Sequence, residues 1–208
     1  MDLGLGNLTE LKKHLLAEAL REGTDYDLPL TALGDGVSRQ FERYCNRRFS
    51  RAVGATFVCS GDRDHVYLDR YPVESITSVE LKVDSTTGYE VQANYIQTWS
   101  SESGYVFWGD MAGDESTRLR FTFTGGYWVD TSEDSSGSLP SGATALPNDL
   151  KLAWILQSKK VWEVTDPTGS KIVASKNSVQ LVGLSLAGLE LIPQVKQILQ
   201  PYLRYQLT

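Results

Sequence analysis

Val37-Ser38-Arg39-Gln40-Phe41-Glu42-Arg43-Tyr44-Cys45-Asn46-Arg47-Arg48-Phe49 is the stretch where helical patterning gives way to strand-like patterning. Counting back from it, Leu30, Leu33, Val37, Phe41 and Tyr44 recur at steps of three or four, which puts one apolar stripe on a 3.6-residue helix. That stripe must be buried. The opposite face carries Arg39, Glu42, Arg43, Asn46 and Arg47, so the predicted helix packs inward and offers cations outward. Pro29 suits its first turn. Gly34 and Gly36 each weaken it by roughly 1 kcal/mol relative to Ala, and either permit close packing or move its start to Asp35.

Upstream, Asn7-Leu8-Thr9-Glu10 reads as a capping box, in which Asn7 accepts from the first backbone amides and Glu10 reaches back. A helix is expected to follow, with Leu8, Leu11, Leu15 and Ala19 as its apolar stripe, Leu16 and Leu20 widening it, and Gly23 as its stop. Downstream, short β-type runs alternate with polar turns: Ala55–Ser60, His65–Asp69, Ile76–Val83, Tyr89–Ala93, Tyr95–Trp99, Tyr105–Trp108 and Thr117–Gly125. The last run places Leu119, Phe121 and Phe123 on one face and Arg118, Arg120, Thr122 and Thr124 on the other, so one face is buried and one is wet. Pro72 separates the second run from the third, because it cannot donate to a ladder.

Residues 130–143 are polar with no face to bury and read as a loop. Pro147 and Asp149 then open a third helix, and Leu150 to Trp162 is apolar on more than one side, as in a core or between subunits. Residues 170–188 lack a helical period and are expected to form a hairpin or extended arm. Pro193 opens a last helix with Ile192, Val195, Leu199 and Tyr202 on one side, and Pro201 breaks or kinks it. The predicted fold is therefore α+β: a four-helix bundle, two helices from residues 1–51 and two from 146–208, interrupted by an antiparallel β insertion at 52–145.

The 208 residues and 41% apolar content suffice for a real core. No run is long enough to span a membrane, and the start Met-Asp-Leu-Gly-Leu-Gly lacks the basic and apolar stretches of a signal peptide. The protein is expected to stay in the compartment that made it, with Cys45 and Cys59 reduced. The net charge of −6 is unevenly spread. Residues 1–51 carry eight basic and eight acidic side chains, residues 52–145 five and fourteen, and residues 146–208 seven and four. An acidic middle between less acidic ends implies surfaces that meet different neighbours.

Catalytic patterns are weak. The two histidines are His14, on the polar side of a helix, and His65, beside Asp62 and Asp64 in what reads as a hairpin turn. A hydrolase built on His65 is the most distant reading. Gly183-Leu184-Ser185-Leu186-Ala187 lacks the closing glycine of a nucleophile elbow, and Gly4-Leu5-Gly6 has no strand ahead of it. No catalytic, cofactor-binding or metal-binding residue is assigned. The arginines at 39, 43, 47, 48 and 51 form the one basic cluster, able to touch phosphate backbone without reading sequence. With Glu42 among them and a pI near 5.0, pairing to a protein partner is favoured over DNA. Trp154 and Trp162 on the third helix read as core or subunit contacts.

Several ordered pieces together resemble the head–tail connector proteins of tailed double-stranded-DNA bacteriophages, the head-completion or adaptor proteins beneath the portal. They are Phe41 to Phe49, Leu68-Asp69-Arg70-Tyr71-Pro72-Val73-Glu74-Ser75-Ile76, Phe123-Thr124-Gly125-Gly126-Tyr127, Leu146 to Ala153, Leu191-Ile192-Pro193 and Ile198 to Arg204. The resemblance implies a structural virion protein at the head–tail junction, made in the bacterial host cytoplasm. It implies a homo-oligomeric ring, commonly twelvefold, that extends the portal's channel, docks a tail-side stopper or tail-completion protein, and lets DNA pass without sequence-specific binding. No enzyme activity, cofactor or membrane is implied. On this reading the expected subunit or portal interface comprises Arg39, Arg43, Arg47, Trp154, Trp162, Lys171, Lys176, Tyr202, Arg204 and Tyr205, with the segment from Lys171 onward against the portal. The alternative is a phage nucleic-acid-binding or packaging accessory protein that uses the basic helix face.

Overall fold

A computed structural model describes residues 3–84, 86–93, 95–109, 113–130, 137–165 and 190–204. They divide into two compact units, a helical one built mainly from residues 3–46 and 145–204, and a β one built mainly from residues 47–128.

The helical unit contains α1 (Leu8–Leu15), α2 (Asp27–Cys45), α3 (Asn148–Thr165) and α4 (Pro193–Leu199), with 3-10 turns at Glu18–Leu20 and Gln200–Tyr202. Asn7 caps α1, its Oδ1 accepting the Glu10 amide at 2.9 Å. The helix ends early because Leu16 and Ala17 are extended, so only Leu11 of its own residues is buried. α2 starts at Asp27 and buries Leu30, Leu33, Val37 and Phe41 as its spacing requires. The stripe then passes to Cys45, leaving Tyr44 39% exposed. Gly34 lies where α2 meets α3: a Cβ there would sit 2.9 Å from both Trp154 Cζ2 and Leu11 Cδ1. Trp154 is fully buried and donates Nε1–H to the Gly34 carbonyl at 3.0 Å. Burying an indole of that size stabilises by about 4–6 kcal/mol.

The amino-terminal Leu3-Gly4-Leu5-Gly6 belongs to this core, which its sequence did not announce as a structural element. Leu3 and Leu5 are buried, and Ser38 Oγ donates to the Leu3 carbonyl at 2.5 Å. Gly6 lies on the Trp154 ring so closely that a Cβ would come within 2.3 Å of Cζ3. Gln157, also buried, ties the chain before α4: its Nε2 donates to the Glu190 carbonyl and its Oε1 accepts the Ile192 amide at 3.1 Å.

The β unit holds β1 (Ala52–Ser60), β2 (His65–Tyr67), β3 (Val73–Lys82), β4 (Glu90–Val91), β5 (Thr98–Trp99), β6 (Tyr105–Phe107), β7 (Arg118–Gly125) and β8 (Tyr127–Trp128), and β8 pairs with β9 (Thr144–Ala145). One antiparallel sheet runs β1-β7-β3-β4 and a second runs β2-β6-β5. Register aligns Phe57, Phe121 and Val79 in one row and Cys59, Leu119 and Leu81 in the next. These rows join Leu68, Tyr71, Val106, Trp108 and Phe123 in one core drawn from both sheets. The opposite face sets Val58, Arg120 and Glu80 in a row, with Arg120 paired to Glu80 and lying 4.0 Å from the Tyr89 ring centroid.

The expected four-helix bundle with a β insertion is not what forms. A bundle needs four helices of comparable length, each burying a stripe. Here α1 has 8 residues and α4 only 7 against 19 and 18 in α2 and α3, while the strands build three sheets around a core of their own.

Candidate assembly surface

The arginine-bearing stretch does not continue as a helix. Asn46 adopts the left-handed conformation at φ 50°, and its amide closes back on Glu42 and Arg43 carbonyls, as a helix-ending residue does. Arg47 is thereby turned off the α2 face into the β unit and is only 4% exposed. Its guanidinium carbon lies 3.3 Å from the Tyr71 ring centroid, 4.9 Å from that of Phe49 and 5.6 Å from that of Tyr127, and Nη2 donates to the Tyr71 carbonyl. The expectation of Arg47 as an outward cation is therefore corrected. The signal that marks this was Asn46, a favoured residue just past a helix end.

Around Arg47 three of the ordered pieces meet. The Arg48 amide donates to Asp69 O at 2.7 Å, Tyr127 N to Phe49 O at 2.7 Å, Arg51 N to Tyr127 O at 2.9 Å and Gly126 N to Pro72 O at 2.8 Å. Arg51 clasps Glu74 with two hydrogen bonds of 2.7 and 2.8 Å, which raises its pKa above the ordinary guanidinium value, and Arg70 Nη1 reaches the Ser50 carbonyl. Gly126 has φ +97°, and a Cβ there would lie 2.6 Å from Ser50 O, so the closeness of these segments requires glycine. In the helical unit the remaining pieces meet in the same manner. Arg204 N donates to Cys45 O at 2.9 Å, and Tyr202 Oη donates to Asp149 at 2.9 Å.

The other expected interface residues fall into three groups. Arg39 and Arg43 are exposed on α2, with Arg39 paired to Asp35 one turn back at 2.8 Å, a contact worth about 0.3–0.5 kcal/mol. Trp154 and Trp162 are core side chains, Trp162 meeting Tyr26 edge to face at 6.1 Å, so neither is a surface group of the chain. The apolar side chains α3 leaves outward include Leu152 and Val164, 51% and 48% exposed, with Leu152 near half-buried Ile155 and Leu156. Tyr202 and Arg204 are half-buried. Lys171, Lys176 and Tyr205 lie outside the described residues, as does the 170–188 segment.

The acidic surplus of the β unit has a geometric focus. The loops after β1, β3 and β6 are tied together, Gly61 N donating to Thr117 O at 2.9 Å and Thr117 Oγ1 to Val83 O at 3.4 Å. This gathers Asp62, Asp64, Asp84, Asp114 and Glu115 at one end of the main sheet. Hydrogen bonds from Thr86, then Thr87, hold the Asp84 carboxyl down at about 2, and the Ser116 hydroxyl lowers that of Asp114. Asp84 and Asp114 are therefore held in their charged form.

Other chemistry is sparse. His65 Nδ1 contacts the exposed Asp64 carboxylate and its ring lies 5.6 Å from that of Tyr105. Burial pushes the Cys59 thiol up to about 12, far from a nucleophile's range. Among the described residues no group of three or more His, Cys, Asp or Glu side chains could hold a metal ion, and no helix is long and apolar enough to cross a membrane.

No protein-family model and no curated protein matches the sequence. Solved structures do. A chain from the neck of an empty gene transfer agent particle, computed with C6 symmetry, matches with a TM-score of 0.60 at 16% identity over 97% of this chain and 90% of that one. A chain from the virion of the native gene transfer agent particle matches with a TM-score of 0.58, also at 16% identity and with the same coverage. The chain thus has the fold of proteins in gene transfer agent particles, one of them from the particle's neck.

Proposed function

We propose that the chain is a structural subunit of the neck of a phage-like particle, a head–tail connector that forms a ring beneath the portal, extends the DNA channel and docks the tail-side protein. The observation that carries this is the match to a neck chain over 97% of the sequence. The convergence of the connector-like pieces at two hydrogen-bonded nodes, around Arg47 and around Cys45, supports it. A twelvefold ring contains the sixfold axis with which the neighbouring neck was computed.

A cyclic ring needs two different patches on each subunit. We assign one to the exposed α2 cations Arg39 and Arg43, facing the acidic loop cluster of the next copy, and a second contact to the Leu152, Ile155 and Leu156 stripe of α3. With Arg47 buried and Arg51 engaged by Glu74, fewer cations remain for phosphate contacts, which weighs against the packaging-accessory alternative. Gel filtration of the protein mixed with the portal of its own particle tests the assignment. Co-migration is expected. Separate elution, or salt-sensitive DNA binding without portal binding, overturns it.

A further inference from the structure

The outer face of the main sheet gathers positive charge in a unit that is otherwise acidic. Three of the five basic side chains of residues 52–145, Lys82, Arg118 and Arg120, lie on it in two adjacent rows. One row runs Ser60, Arg118, Lys82 and the next runs Val58, Arg120, Glu80, Val91. Arg120 is paired with Glu80, but among the described residues neither Arg118 nor Lys82 meets a carboxylate. Arg118 Nη1 donates to Ser60 Oγ at 3.4 Å, to the Thr117 carbonyl at 3.1 Å and to the Glu115 carbonyl, while Lys82 Nζ lies 5.9 Å from the Tyr89 ring centroid. The carboxylates of the adjoining loops are engaged elsewhere, Asp84 accepting from Thr86 and Thr87, and Asp114 from Ser116 and Thr117. Lys82 and Arg118 are direct ladder partners, and like charges set opposite each other on neighbouring strands weaken the ladder. An anion from outside the sheet would relieve that repulsion.

We propose that this face docks an acidic segment of a protein partner, one in which carboxylates alternate with apolar side chains. The carboxylates fit Arg118 and Lys82, which stand on neighbouring strands about 4.8 Å apart, close enough for one carboxylate to bridge them. The apolar side chains fit Val58 and Val91, 49% and 69% exposed at the two ends of the adjoining row. Duplex DNA also supplies anions, but it offers nothing apolar to these valines. Its dense charge would moreover be repelled by Asp62, Asp84, Asp114 and Glu115 in the loops at the end of the same sheet. The mixture of cation and valine therefore favours a protein. This surface is separate from the ring contacts assigned above, which use α2, α3 and the acidic loops, and it does not depend on them.

Fluorescence anisotropy on the full chain tests the proposal, with a labelled peptide of alternating Asp and Leu as the probe. Saturable binding is expected, weakened by about tenfold or more in Lys82→Glu and held within about twofold in Lys13→Glu, a reversal at an exposed position of α1. The same peptide with Ser in place of Leu should bind more weakly, because it leaves Val58 and Val91 uncovered. Absent binding, equal binding by Lys82→Glu, or tighter binding of a short DNA duplex than of the peptide overturns the proposal. Unfolding of the variant is excluded by a second measurement. Lys82→Glu turns a like-charge pair into an opposite-charge pair with Arg118, so its unfolding temperature should rise by about 1–3 °C even as peptide binding is lost. An unchanged or lowered unfolding temperature removes the repulsion on which the proposal stands, and overturns it.

Discussion

The Arg47 guanidinium carbon lies 3.3 Å from the centroid of the Tyr71 ring while Nη2 of the same group donates to the Tyr71 main-chain carbonyl. One residue thus holds both the face and the backbone of another. A planar guanidinium can stack and donate together, whereas a compact ammonium cannot. Arg47→Lys is expected to cost about 2 kcal/mol, combining a desolvated cation–π contact with a hydrogen bond to a buried carbonyl. Thermal unfolding checks this, and a change below about 0.5 kcal/mol would show that Arg47 is not a fastening residue.

Arg43 and Arg47 should separate in their effects. Arg43→Glu leaves an exposed helix position helical, so its stability should stay within about 0.5 kcal/mol of the parent while assembly into the proposed ring weakens. Arg47→Glu places a carboxylate against a carbonyl in a buried aromatic site and should unfold the β unit. Circular dichroism together with light scattering distinguishes the two; equal loss of fold in both would refute the separation.

Gly126 and Gly142 offer a matched pair. Both have positive φ, +97° and +82°, but only at Gly126 would a Cβ meet backbone, while Gly142 faces open space. Gly142→Ala should cost about 1 kcal/mol for its backbone conformation, and Gly126→Ala at least twice that, because Ser50 must also move. Denaturant midpoints measured on both variants provide the comparison.

Asp84 titrates near 2, below its unfolded value of 3.8, because Thr86 and Thr87 hydrogen-bond its charged form. A depressed folded pKa contributes stability that is present above the unfolded value and is lost as pH falls through the folded one. The contribution of the charged Asp84 to holding the β3–β4 loop should therefore be lost progressively between about pH 4 and pH 2. Nuclear magnetic resonance titration of the Asp84 carboxyl should find a midpoint near 2, rising when Thr86→Ala removes the hydrogen bond from the Thr86 hydroxyl. A midpoint unmoved by that substitution would assign the depression to another cause.

Much of the β unit was legible because a period of two is unambiguous when one face is apolar. Leu119, Phe121 and Phe123 are fully buried as their alternation required, and the α2 stripe from Leu30 to Phe41 is buried as its spacing required. The overall architecture was not legible, since periodicity identifies a helix without fixing its length: α1 stops at Leu15 although apolar residues recur to Leu20. The candidate interface was harder still. Arg47 shares a helical face with Arg39 and Arg43 only if the helix runs past Asn46, and one left-handed residue reverses its role from surface cation to core fastener. Trp154 and Trp162 showed the converse difficulty, since a helix apolar on more than one side does not say whether its tryptophans fill the core or meet another subunit, and both are buried within the chain.

The bond from Arg51 N to Tyr127 O has a consequence for how the chain could have been assembled. Where the polypeptide enters the β unit and where it leaves lie side by side, clasped also by the Phe49 and Gly126 hydrogen bonds. A segment with adjacent ends can be inserted between two helices, exchanged or lengthened at its outer loops without pulling the flanking helices apart. Residues 47–128 thus have the form of a cassette, whose outer loops can change while the hydrogen bonds that close it stay fixed.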